Sequence, residues 1–190
     1  VTTSYSYNQH DNLTSVTDPE GHGTTYIYDD MGRLLSITSA DTGTVTYVYD
    51  EAGNLIQKTD AKGITVTYTY DPLSRLLATH FPDPSQDITH SYDQGPNGKG
   101  RFTGITDPSG NMAYEYDALG RIAHETRNID ERDFTIEYTY SAAARLTGIA
   151  YPTGRTVTYN RNILGKISGV STTYNGNTKT LVNKLTYLPF

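Results

Sequence analysis

The chain has 190 residues, with 15 Lys plus Arg against 21 Asp plus Glu and a formal net charge of -6, a balance that argues against a surface built for nucleic-acid phosphates. Cys is absent, which excludes disulfide staples and Cys-based zinc sites, and no apolar run reaches transmembrane length. The hydrophobic fraction of 35% includes 17 Tyr, with 4 Phe and no Trp, so most of the apolar area carries a hydroxyl and suits half-buried sheet faces better than a deep core.

Read in order, the chain repeats one unit. A strand-like run closes on Tyr7, and the next, Tyr26-Ile27-Tyr28, leads into Asp29-Asp30-Met31-Gly32-Arg33. The third, Thr44-Val45-Thr46-Tyr47-Val48-Tyr49, leads into Asp50-Glu51-Ala52-Gly53-Asn54, and the pattern returns at Tyr70, Tyr92, Tyr116, Tyr140 and Tyr159. The first three steps are 21 residues each; the later ones are 22, 24, 24 and 19, and a weaker final copy ends at Tyr187. Alternating Thr, Val and Tyr favour strand, and residues two apart share one face. Asp at the first turn position accepts backbone N–H bonds, and Gly at the fourth takes the left-handed conformation of a bulged hairpin. A second strand then runs to a second turn, such as Asp18-Pro19-Glu20-Gly21, Asp60-Ala61-Lys62-Gly63 or Asp107-Pro108-Ser109-Gly110.

The spacing predicts about eight repeats, each of two strands and two turns, over residues 1–190 as a single array cut from a longer chain. The fold class is all-β: tandem antiparallel β-hairpins forming one long, strongly curved sheet, a segment of a spiral or barrel-like wall. Insertions fall on the rims, at Pro82-Asp83-Pro84-Ser85 and at Gly95-Pro96-Asn97-Gly98-Lys99-Gly100. Strict alternation places Leu34 on one face and Leu35 and Ile37 on the other, so both faces carry apolar area and exposed edges invite self-association.

Tyr28-Asp29-x-x-Gly32-Arg33-Leu34, Tyr116-Asp117-Ala118-Leu119-Gly120-Arg121-Ile122 and the segment from Asn97 to Gly110 resemble the YD (Rhs) repeat. The recurring signature comprises Asp29, Gly32, Arg33, Asp50, Gly53, Asp71, Arg75, Asp93, Arg101, Asp117, Gly120, Arg121 and Arg145. Some copies depart from it: Asn8, Ser141 and Asn160 stand in the Asp position, Ser74 and Ala144 in the Gly position, and Asn12, Asn54 and Lys166 in the Arg position. The resemblance implies the repeat shell of bacterial Rhs toxins, insecticidal toxin complex C components, wall-associated proteins and teneurins. It implies a secreted or cell-surface setting. The expected partners are neighbouring repeats and the toxin cargo of the parent protein, with neither nucleic acid nor membrane insertion.

No catalytic constellation, metal site or cofactor motif stands out, and the chain reads as a non-enzyme. His10, His22, His80, His90 and His124 are scattered, and only His80 and His90, flanking one insertion, are placed to approach each other. Stacked turn carboxylates at Asp29, Asp50, Asp71, Asp93 and Asp117 would suit Ca²⁺, but capping of their own turns is the simpler role. The Arg row pairs with turn Asp or lies over a neighbouring Tyr ring. Tyr26, Tyr28, Tyr47, Tyr49, Tyr68 and Tyr70 form adjacent rows, either buried as cross-strand aromatic pairs or open as a stacking face for a glycan or protein, the alternative function.

Overall fold

The computed structural model describes residues 2–185 and 187. The chain forms two compact units, residues 1–89 and 90–190. Unit 1 contains β1 (Ser4–Tyr7), β2 (Leu13–Thr17), β3 (Gly23–Tyr28), β4 (Leu34–Ser39), β5 (Gly43–Tyr49), β6 (Leu55–Thr59), β7 (Thr65–Tyr70) and β8 (Leu76–His80). A 3-10 turn at Pro84–Gln86 follows, and β9 (Ile88–Tyr92) runs across the boundary. Unit 2 continues with β10 (Phe102–Asp107), β11 (Gly110–Tyr116), β12 (Ile122–Ile129), β13 (Arg132–Tyr140), β14 (Leu146–Ala150), β15 (Thr156–Arg161), β16 (Ile167–Tyr174) and β17 (Asn177–Val182).

Within each unit, strands pair antiparallel with their sequence neighbours, so each is a meander of the expected hairpins. The core is correspondingly thin. No large side chain among the described residues is fully buried, and the buried polar residues are Thr79, Thr103 and Thr172. Stability therefore rests on ladder bonds and cross-strand pairs rather than on a packed interior.

A β-bulge recurs beside the Asp turn of these hairpins. In the hairpin of β3 and β4, Ile27 faces Ser36 but Tyr28 faces Leu34, which leaves Leu35 as the extra residue. The same slip occurs at Tyr7, Tyr49, Tyr70, Tyr116 and Tyr140. The bulge corrects the alternation expected for Leu34 and Ile37. Directly opposed residues share a face, so Leu34 (opposite Tyr28) and Ile37 (opposite Tyr26) both lie on the tyrosine side.

The two faces differ in cover. Tyr26, Tyr28, Tyr47, Tyr49, Tyr68 and Tyr70 are half-buried, whereas Ile27 and Val48 on the opposite face are exposed. That opposite face is threaded by hydroxyl pairs: Thr38 with Thr44 at 3.0 Å and Thr59 with Thr65 at 2.9 Å in unit 1, Thr126 with Thr135 at 3.0 Å in unit 2.

Candidate functional site

The signature residues meet at the seam between consecutive hairpins. In unit 1 the ladder joining β4 to β5 ends at Ser36 and Thr46, short of the Asp turns. Side chains close the remaining gap. The Tyr49 hydroxyl donates to the Leu34 carbonyl at 3.1 Å, and one Arg33 guanidinium nitrogen donates to the Asp50 carbonyl at 3.2 Å. The Arg33 guanidinium also lies 5.1 Å from the centre of the Tyr49 ring. Tyr, Arg and turn thus form one staple between one hairpin and the next.

The staple recurs. Tyr70 donates to Leu55 O at 2.9 Å, Tyr116 to Phe102 O at 2.5 Å, Tyr140 to Ile122 O at 2.9 Å and Tyr187 to Ile167 O at 3.0 Å. Arg101 lies over Tyr116 at 5.2 Å, Arg121 over Tyr140 at 4.3 Å and Lys166 over Tyr187 at 4.8 Å.

The Asp of each turn organises its own hairpin. Asp29 Oδ1 accepts the backbone N–H of Met31 at 3.0 Å and of Arg33 at 2.8 Å, while Oδ2 accepts Arg33 Nε at 2.6 Å. Asp71 repeats this with Leu73 and Arg75, and Asp117 with Leu119 and Arg121. Asp50 instead pairs with both nitrogens of Asn54. The Arg33 backbone N–H, then its guanidinium, hold the Asp29 carboxyl below the usual carboxylate range. The Arg121 side chain does the same for Asp117. Asp93 reaches across its insertion to Gly100 N at 2.5 Å. Carboxylates committed to their own turns have few lone pairs to offer a shared Ca²⁺.

Gly in the turn serves two needs. Gly120 has φ +75°, and a Cβ there would fall on the Arg101 guanidinium; Gly165 has φ +73°, and a Cβ there would fall on that of Arg145. The turn backbone is the seat for the preceding repeat's cation.

One hairpin end differs from the position that sequence spacing predicts. The bulge of β15 and β16 falls at Asn160 and Arg161, and the turn bonds run from Asn162 N to Lys166 O and from Gly165 N to Asn162 O. The anchor position is therefore Arg161, not Tyr159, and the Asp position is Asn162, not Asn160. Arg161 keeps the anchor's role, donating to Leu146 O at 3.0 Å. No sequence pattern flags a guanidinium in place of a phenol; the bulge register does.

The histidines have separate partners. His80 Nδ1 lies 2.7 Å from Asp87 Oδ2 and closes the insertion of residues 81–86. His90 packs against Phe102 with ring centres 5.9 Å apart, and His124 lies 3.0 Å from Glu115. Asp18, Glu20 and His22 bring three ligand-type atoms together, a group not expected from the sequence. Asp18 and His22 already bond each other at 2.9 Å in an exposed turn, so the turn accounts for the group. Among the candidate stacking tyrosines, Tyr49 and Tyr70 have their hydroxyls tied to carbonyls.

The fold and seam define a tandem β-hairpin repeat held by a recurring set of Tyr, Asp, Gly and Arg, or their substitutes, at the hairpin ends. The RHS Repeat family matches over residues 7–44, 49–86 and 97–130, and the chain belongs to that family. A search of curated proteins finds no match. Among solved structures, 53 chains match. A TcdB2-TccC3-Cdc42 crystal structure aligns with TM-score 0.80 at 18% identity, covering 97% of this chain and 11% of that one. A Photorhabdus luminescens Tc holotoxin pore aligns with TM-score 0.79 at 19% identity, covering 97% and 11%. These likenesses are of fold, and this chain spans about a tenth of the length of those proteins.

Proposed function

We propose that this chain is wall material of a longer Rhs-type protein, a non-catalytic segment of a secreted shell that encloses a C-terminal toxin until release. The observation that carries the reading is the seam. Where the backbone ladder between hairpins ends, a phenol and a guanidinium take over its hydrogen bonds, so consecutive hairpins stay joined as a continuous sheet. Such a sheet acts by steric exclusion. The fold-level likeness to chains of Tc toxin assemblies supports the setting.

Limited proteolysis of the parent polypeptide tests this. With residues 1–190 present, the C-terminal segment should resist protease under native conditions; with them deleted, it should be cut at once. Equal resistance in both would overturn the wall role.

A further inference from the structure

We propose that the hairpin tip of β15 and β16 in unit 2 docks on an anionic phospholipid surface, a role beyond that of a wall. All 21 Asp and Glu precede residue 138, together with nine of the 15 Lys and Arg, giving a formal charge of -12 over residues 1–137. Residues 138–190 hold six cations, Arg145, Arg155, Arg161, Lys166, Lys179 and Lys184, and no acid. Such asymmetry within one chain points to an anionic partner for the cationic part.

Geometry narrows the partner. An exposed apolar residue stands third in several of these turns, as at Met31, Leu73 and Leu119, but the tip Asn162-Ile163-Leu164-Gly165 carries two in a row, with Ile163 fully exposed beside Leu164 at 73%. Two exposed cations, Arg145 and Lys166, flank it, and the half-buried Arg161 lies beneath. Arg145 donates to Leu164 O at 3.4 Å, Arg161 donates to Gly165 O at 3.1 Å, and Lys166 follows directly in sequence. At the earlier tips Asp29 and Asp117 pair with their own arginines; here Asn162 holds the turn through backbone bonds of 3.0 Å and neutralises nothing. The adjacent tip, Ala142-Ala143-Ala144, is likewise exposed, apolar and preceded by Ser141 in place of Asp.

Exposed aliphatic side chains flanked by cations match a bilayer interface, where the aliphatic groups enter the headgroup–acyl boundary and the cations meet anionic headgroups. A nucleic acid would use the cations but leave Ile163 and Leu164 against phosphates, with nothing gained from their burial.

The test is flotation of the purified 190-residue chain with vesicles of phosphatidylcholine, with and without phosphatidylserine. The chain should float with the phosphatidylserine vesicles only, and less at high salt. Arg145→Gln and Lys166→Gln should each weaken partition roughly fivefold. Ile163→Ser and Leu164→Ser should each weaken it about tenfold. Asn162→Asp restores the family's turn residue, so the hairpin is retained while an acid enters beside the cations; partition should fall. Far-UV circular dichroism checks the fold of each variant. Equal flotation with both vesicle types, no flotation, or flotation unchanged in Asn162→Asp and Ile163→Ser would overturn the proposal. So would tighter binding to a labelled oligonucleotide, or cation-dependent self-association in place of vesicle binding.

Discussion

The corrected register makes Tyr140 and Tyr159 a matched pair for experiment. Both close a Tyr-x-Tyr or Tyr-like run, and sequence spacing assigns them one role. In the structure only Tyr140 sits at the bulge, with its hydroxyl donating to Ile122 O at 2.9 Å. Tyr159 lies two residues before its hairpin end, opposite Val170, and Arg161 makes the seam bond instead. Tyr140→Phe keeps the ring and its contact with Arg121 but leaves the Ile122 carbonyl without that donor. A half-buried hydrogen bond of this kind is worth about 1 kcal/mol. Urea unfolding followed by circular dichroism should show the midpoint of Tyr140→Phe lowered by roughly 0.5 M, taking a slope of about 2 kcal/mol/M. Tyr159→Phe should shift it by less than the measurement error. Equal losses in the two variants, or a larger loss at Tyr159, would refute the seam assignment.

Other consequences are equally direct. Gly120→Ala should cost about 1 kcal/mol for the left-handed backbone and up to about 1 more for displacing Arg101 from Tyr116, and the second part should vanish in an Arg101→Ala background, as a double-mutant cycle reads. The carboxyls of Asp29, Asp71 and Asp117 titrate below their ordinary value, so they contribute stability above about pH 4 that is lost as pH falls through their lowered pKa values. Urea midpoints should be flat from neutrality to about pH 5, decline below pH 4, and decline less steeply in Asp117→Asn. Among the described residues of unit 1, β1 pairs with β2 alone and its side chains are exposed; sedimentation velocity should show concentration-dependent association that Tyr5→Lys reduces. If Tyr47 and Tyr68 formed a glycan-stacking face, glycan titrations would show saturable binding lost in Tyr47→Ala; the wall role predicts no saturable binding.

The hairpins and their turns were legible because period-two alternation and Asp-x-x-Gly are local signals. The bulge was not. One extra residue at Leu35 reverses the parity of the rest of β4, so Ile37 lands beside Tyr26 although counting places it opposite. The same blind spot misplaced the hairpin end at Tyr159: a 19-residue step hid a turn two residues further on, and Lys166 already marked the Arg position of the true turn. The Arg33–Tyr49 contact could be expected in kind, since a row of Arg beside rows of Tyr favours contact with the rings. Its bond to Asp50 O depends on where the inter-hairpin ladder stops, and that is set by pairing across strands rather than by any one segment. A net charge averaged over the chain likewise concealed that every acid precedes residue 138.

The drifted copies show what the repeat requires. At the hairpin end of β15 the phenol has become the Arg161 guanidinium, and what persists is a long side chain carrying a donor to the carbonyl one hairpin back. At the turn, Asp gives way to Asn8 or Asn162, and what persists is a short side-chain oxygen accepting two backbone N–H bonds. Left-handed backbone is the third constant, supplied by Gly or, at strain, by Ser74 and Ala144. Each position is therefore defined by a bond to backbone, which is common to all residues, rather than by a particular partner side chain. A seam built this way tolerates substitution in one repeat without a matching change in the next. A wall can then vary its surface, as the acid-free end of unit 2 does, while its hairpins stay joined.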